Sequence, residues 1–292
     1  MREQFIEKRF QAPSLALLEQ VDNIIGDYQA QGYRLSLRQV YYQLVSRNVI
    51  PNETAAYKNL GKLVSEGRLA GHLDWDAIED RGRRGEYPQY WDSPRHIIET
   101  AAESYRLNKW ADQENYVVVM IEKSALEGVV SPVCAKLEVP FHANKGYSSS
   151  SALYTVGKQM QEQAALYGKH LHVIYAGDFD PSGVQMSEDL ADRLSLFSQH
   201  PVNVMRIALN LPQIQRYKLP PNPTKESDSR TPAFEAKYGP ECYEVDAINP
   251  GHLAKMFEKA VLSLRDDAVW GMSLNRENEH KEQIQSLIDG LV

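Results

Sequence analysis

Two aspartates one residue apart, Asp178 and Asp180 in the stretch YAGDFDPSG, follow the apolar run HLHVIY at the point where a strand should end. In an extended segment residues i and i+2 point to the same side, so both carboxylates face one spot. Like charges placed this way repel, and one tends to hold a proton. A hard divalent cation removes the conflict, because Mg²⁺ takes oxygen ligands and keeps waters that a substrate phosphate can displace. The bland reading of the same residues is an Asp-rich turn that caps the next helix, since Pro181, Ser182 and Gly183 stop the strand and turn the chain.

The elements that would position this pair alternate along the second half. ENYVVVMIEK reads as a buried strand, SALEGVVSPVCAKL as a helix, VPFHANKG as a strand and SSALYTVGKQMQEQAALYG as a helix. HLHVIYAGDFD, GVQMSEDLADRLSLF and VNVMRIAL continue as strand, helix and strand. That order predicts a parallel sheet with crossover helices, in which function gathers at the carboxyl ends of the strands. Those ends would present Glu122 after VVVMI, Lys145 and Gly146 after PFHAN, and Asp178 with Asp180 after HVIYAG. Three carboxylates from two strands on one rim make a stronger metal site than the D-x-D alone. The structural alternative is that Glu122 pairs with Lys123 or another base as an ion pair. His170 and His172 fall at the start of the third strand, away from that rim, and are expected to be structural.

The first half is helical. PSLALLEQVDNIIGDYQAQ spaces Leu15, Leu18, Val21, Ile25 and Tyr28 at helical intervals. LSLRQVYYQLVSRNVIP follows, with Ser36 and Gln39 forming a capping box and Pro51 closing the segment. A third helix, TAAYKNLGKLVSEGRLAG, precedes HLDWDAIEDRGRRG, an order that matches a winged helix-turn-helix. A helical packing unit without a partner gives the same pattern. On the second helix Leu37, Val40, Tyr41 and Leu44 share a face, which makes Tyr41 a core residue. Tyr42 points elsewhere, with Arg38 as its i−4 neighbour. A phenol beside a guanidinium suits attack on a phosphodiester, yet a Tyr stacked on Arg is also ordinary.

The whole chain bounds these readings. Its 292 residues can bury a core without disulfide staples. A formal charge of −7 argues against coating nucleic acid by bulk attraction. Acidic and basic residues balance up to residue 110, so the excess acid belongs to the half with the D-x-D. Cys134 and Cys242 lie far apart with no C-x-x-C, which suggests neither a disulfide framework nor a zinc ribbon. The charged start MREQFIEKRF and the absence of any span-length apolar run predict a soluble, cytoplasmic protein that does not enter a membrane.

Taken together, MIEKSAL, the NKGYSS loop and GDFDPSG resemble the glutamate, glycine and D-x-D-x-x-G motifs of the Toprim fold, shared by topoisomerases, primases and several nucleases. More narrowly, Glu122 with Lys123 and the Asp-Pro-x-Gly ending resemble the A subunit of topoisomerase VI and its meiotic DNA-breaking relatives. That family places a winged helix before the Toprim fold, with a catalytic tyrosine in an R-D-x-Y-Y-like helix. Here the stretch is LRQVYYQL, and Tyr42 matches the nucleophile. Gln39 stands where the family has aspartate, and nothing resembles the ATPase subunit that strand passage requires.

The resemblance implies a Mg²⁺-dependent enzyme, with Mn²⁺ as a substitute, that breaks duplex DNA, as a homodimer so that two sites cut two strands. Glu122 would be a metal ligand or general base, with Asp178 and Asp180 as further ligands. Lys123 or Lys145 would neutralise phosphoryl charge, and Tyr42 with Arg38 or a water would supply the attack. Lys58, Lys62 and Arg68 on the third helix, with Arg81, Arg83 and Arg84 in the wing, would contact DNA phosphates. Lys225 and Arg230, in PTKESDSR, would reach over the site. The expected organisation is a helical winged helix-turn-helix domain over 1–85, a linker over 86–113, a parallel-sheet Toprim (Rossmann-like) domain over 114–222 and a helical extension over 223–292. The alternative is a non-catalytic DNA-binding module whose α/β half is a platform for a protein partner.

Overall fold

The computed structural model describes residues 2–75, 78, 88–143, 150–223 and 230–290. Three helices come first: α1 (Ala12–Gln29), α2 (Leu37–Ser46) and α3 (Thr54–Leu69). Helix α1 starts at a proline in its first turn and buries Leu18, Val21, Ile25 and Tyr28 of the predicted stripe together with Ile24, whereas Leu15 at its start is exposed. The predicted capping box on α2 is present. Gln39 Oε1 accepts from the Ser36 amide at 2.8 Å, and the Gln39 amide donates to Ser36 Oγ at 3.3 Å. Gln39 is therefore engaged in starting the helix. The predicted wing, with Arg81, Arg83 and Arg84, lies outside the described residues, as do Lys145 and Lys225.

After α4 (Pro94–Ser104) the chain alternates as its apolar runs predict. Strand β1 (Asn115–Ile121) leads through a 3₁₀ turn (Ser124–Leu126) to α5 (Glu127–Leu137) and β2 (Phe141–Ala143). Helix α6 (Ser150–Tyr167), β3 (His170–Ala176), α7 (Pro181–Ser198) and β4 (Val202–Ala208) follow. The four strands pair in parallel in the order β2-β1-β3-β4, with Tyr116 opposite Leu171 and Ile121 opposite Ala176. The result is an α/β fold of Rossmann-like form behind a helical N-terminal region.

Alternation along the strands divides the core into two layers. Val117, Val119, Ile121, Ile174 and Ala176 pack on the face covered by α5, where α10 (Pro250–Leu262) also buries Leu253, Phe257 and Val261. Val118, Met120, Val173 and Tyr175 pack on the opposite face under α6 and α7. Because β1 continues outward to β2 and β3 continues the other way to β4, the chain reverses direction between two adjacent strands. The crevice at the carboxyl ends of β1 and β3 is the topological switch point of the sheet, where such folds bind ligands.

The remaining elements return the chain to that crevice. Helix α8 (Leu211–Tyr217) and β5 (Asn222–Pro223) precede α9 (Thr231–Tyr238), β6 (Glu241–Cys242) and a 3₁₀ turn, Val245–Ala247. Phe179 and Tyr243 exchange backbone hydrogen bonds of 2.8 and 2.9 Å, which pins this returning segment to the middle of the D-x-D. A long helix, α11 (Asp267–Asp289), closes the described chain. No helix among the described residues is long and apolar enough to cross a membrane.

Candidate functional site

Glu122 is the first residue after β1, and Asp178 lies two residues beyond β3. Parallel pairing of the strands brings the two together: the Asp178 amide donates to Glu122 Oε2 at 2.9 Å. Gly177 makes this approach feasible, since a Cβ there would lie 2.5 Å from Glu122 Oε2 and 2.4 Å from Tyr175 Oη. A side chain at Gly183 would likewise come within 2.3 Å of the Asp178 carbonyl. The glycines that open and close GDFDPSG are thus required by the close packing of the turn. Arg206 on β4 holds the same turn from behind, donating to the Asp178 carbonyl at 2.5 Å and to the Gly183 carbonyl at 2.6 Å.

Asp178, Asp180 and Glu122 line one cavity of about 740 Å³. Arg38, Tyr41 and Tyr42 from α2 line it as well, as do Asn52, Tyr57, Lys123, Asn222, Tyr243 and Glu244. The two groups of residues singled out from separate halves of the sequence therefore share one site. Arg38 and Tyr42 are adjacent as their helical spacing requires, with the guanidinium carbon 5.6 Å from the ring centroid. Tyr41 and Tyr42 are both buried, and the Tyr41 hydroxyl is 3.1 Å from Asn52 Oδ1.

Each aspartate also has a structural duty. Asp178 Oδ1 accepts from the Val245 amide at 2.9 Å, and its Oδ2 lies 2.5 Å from Lys123 Nζ. Asp180 is the N-cap of α7, with Oδ1 accepting from the Gly183 amide at 2.6 Å. The capping role read from the sequence and the cavity-facing role thus coexist in one residue. Glu122 is not paired with Lys123 as an ion pair. Among the described residues its carboxylate meets the Asp178 amide and, at 3.4 Å, the Tyr175 hydroxyl.

Burial pushes the Glu122 carboxyl up to about 7, and the neighbouring Asp178 charge adds to the effect. Burial also raises the Asp178 carboxyl, against the pull of Lys123. The Tyr42 phenol is raised by burial, with Arg38 and a hydrogen bond to Asn222 opposing. Its hydroxyl is accordingly held neutral.

Sequence reasoning missed Glu244 and Asp246, which reach the site on the turn after β6. Arg38 Nη2 lies 2.6 Å from Glu244 Oε2, and Arg38 Nε lies 2.6 Å from Asp246 Oδ2. Lys123 contacts Glu244 and lies 4.0 Å from Asp246. The signal was available, since Glu244 and Asp246 repeat the i, i+2 spacing of the D-x-D. Val245 between them supplies the amide that fixes Asp178.

Other singled-out residues stand apart. Lys58 and Lys62 are exposed on α3 at i, i+4, whereas Arg68 turns inward and donates to the Ile78 carbonyl at 2.7 Å beside Trp75. Arg230 reaches Gln185 of α7 at 3.3 Å. His172 bonds Asn115 at the amino end of the sheet, and His170 is exposed on the same strand.

Carboxylate oxygens from Glu122, Asp178 and Asp180 match Mg²⁺ in donor type. The surrounding acids, with Glu244 and Asp246, outnumber the nearby cations Arg38, Lys123 and Arg206, so the charge also fits a dication. Among the described residues no three His, Cys, Asp or Glu side chains are gathered to hold an ion as they stand. No protein-family model, curated protein or solved structure matches the chain, which is identified as an α/β protein with a four-stranded parallel sheet after an N-terminal helical region.

Proposed function

We propose that the protein is a Mg²⁺-dependent DNA strand-breaking enzyme of the kind its Toprim-like motifs resemble, working as a homodimer on duplex DNA. One observation carries the reading: Arg38 and Tyr42 of the helical region line the same cavity as Glu122, Asp178 and Asp180 at the switch point of the sheet. A winged-helix docking role for the first half is supported by the exposed Lys58 and Lys62 on α3.

Glu122, with a carboxyl near 7, is poised to take a proton from an attacking water at neutral pH. The water oxygen bonds to phosphorus, Glu122 takes the water proton, the bond to the leaving oxygen breaks, and a proton from solvent converts the leaving oxygen to a hydroxyl. Arg38, in the same cavity, would orient the phosphate oxygens. Mg²⁺ held by Asp178 and Asp180 would neutralise charge on the phosphate and on the leaving oxygen. Water is favoured over Tyr42 as nucleophile because burial opposes formation of the phenolate.

The contrasting reading is a non-catalytic DNA-binding module, favoured by the ion pairs that tie Lys123 and Arg38 to acidic partners. Incubating the protein with supercoiled, relaxed and linear DNA in Mg²⁺, Mn²⁺ or chelator separates the two. Metal-dependent nicks or breaks support the enzyme. Mobility shifts without product support the module.

A further inference from the structure

We infer that the Lys123 ammonium and a divalent cation compete for the same carboxylates, so that Lys123 sets the metal affinity of the site. The inference rests on the metal-dependent reading above and goes beyond it by assigning a residue that tunes metal binding. Lys123 Nζ is 2.5 Å from Asp178 Oδ2, contacts Glu244 Oε2 and lies 4.0 Å from Asp246 Oδ2. The Asp178 side chain is 8% exposed and that of Lys123 is 20% exposed, so the contact is largely withdrawn from water. Asp178 Oδ1 is already held by the Val245 amide, which leaves Oδ2, the oxygen that Lys123 contacts, as the one facing a cation.

A dication on that oxygen would lie close to a like charge in a partly dry wall, where repulsion is poorly screened. One of the two must withdraw. Arg38 cannot take the ammonium's part, because its guanidinium is fixed between Glu244 and Asp246 and stacked on Tyr42. Lysine carries its charge on a flexible four-carbon stem and can swing toward the open cavity. Lys123 is therefore the cation that yields.

The test is Mn²⁺ affinity, measured by electron paramagnetic resonance of the free ion, for the wild type, Lys123→Met and Lys123→Arg. Lys123→Met is expected to bind Mn²⁺ at least about tenfold more tightly than the wild type, because a competing charge has gone. Lys123→Arg keeps the charge and is expected to stay close to the wild type. Equal or weaker binding by Lys123→Met overturns the inference while leaving the metal site intact. No Mn²⁺ binding by any of the three overturns the site itself and the inference with it. Melting in chelator and in saturating Mn²⁺ covers the case in which Lys123→Met is unstable. The ion should then raise its Tm more than that of the wild type, by ligand linkage. A Lys123→Met chain that stays unfolded in saturating Mn²⁺ counts against the inference.

Discussion

Arg38 Nε and Asp246 Oδ2 lie 2.6 Å apart, and the Asp246 side chain is wholly withdrawn from solvent. The contact is electrostatic, since among the described residues these atoms meet no hydrogen-bond partner of good geometry, and Arg38 is shared with Glu244 through Nη2. Removing Arg38 leaves the buried Asp246 carboxylate without its nearest cation, whereas removing Asp246 leaves Arg38 on Glu244. Arg38→Ala is expected to cost about 3 kcal/mol, Asp246→Ala less because Arg38 keeps Glu244, and the double variant less than their sum. Urea unfolding of the four proteins checks this, and strict additivity would show that the contact is not coupled.

Stability should also respond to Glu122. Its carboxyl is raised from 4.5 to about 7 in the fold, so the folded chain holds the proton more tightly than the unfolded chain does. The favourable contribution is complete below pH 4.5 and is lost as pH rises to 7. Glu122→Gln removes this titration and can keep the acceptor for the Asp178 amide. The variant is expected to gain on the order of 3 kcal/mol over the wild type at pH 8, with little difference at pH 4. Melting curves across that window would show parallel pH profiles if burial did not act on Glu122.

Asp180 requires a substitution that separates its two roles. Asp180→Ala loses the cap of α7 and is expected to cost about 1 kcal/mol. Asp180→Ser keeps a hydroxyl acceptor for the Gly183 amide and should hold stability near that of the wild type, yet both variants should lose metal-dependent cleavage. Full cleavage by Asp180→Ser would remove Asp180 from the ligand set. Simple relief of charge repulsion, expected from the D-x-D alone, does not describe Asp178, which is tied to Lys123 and Val245.

The parts of this site that were legible in the sequence lie at the ends of long apolar runs. Glu122 and Asp178 follow strands whose hydrophobic residues fix both boundary and direction, and Ser36 with Gln39 marks the start of α2 by local chemistry. Glu244 and Asp246 show the same i, i+2 spacing in the sequence, but their place at the site was not legible, because β6 is two residues long and its position depends on the distant Phe179–Tyr243 bridge. Arg68 was misleading for a related reason. It shares α3 with Lys58 and Lys62, but Trp75 and Ile78 fold back over its face of the helix.

Tyr42→Phe keeps the ring beside Arg38 and removes the hydroxyl that bonds Asn222. If water is the nucleophile, the variant should retain most of its cleavage rate, while Arg38→Ala should lose more through the missing phosphate contact. An inactive Tyr42→Phe of wild-type stability would transfer the attack to the phenol.

The central claim is best tested by the ends that wild-type protein leaves on supercoiled DNA in Mg²⁺, resolved on denaturing gels. Attack by water should give nicked or linear product with free phosphate ends, none in chelator, and no DNA attached to protein. Intact supercoiled DNA under every metal condition, in protein that binds the same DNA, would contradict the claim.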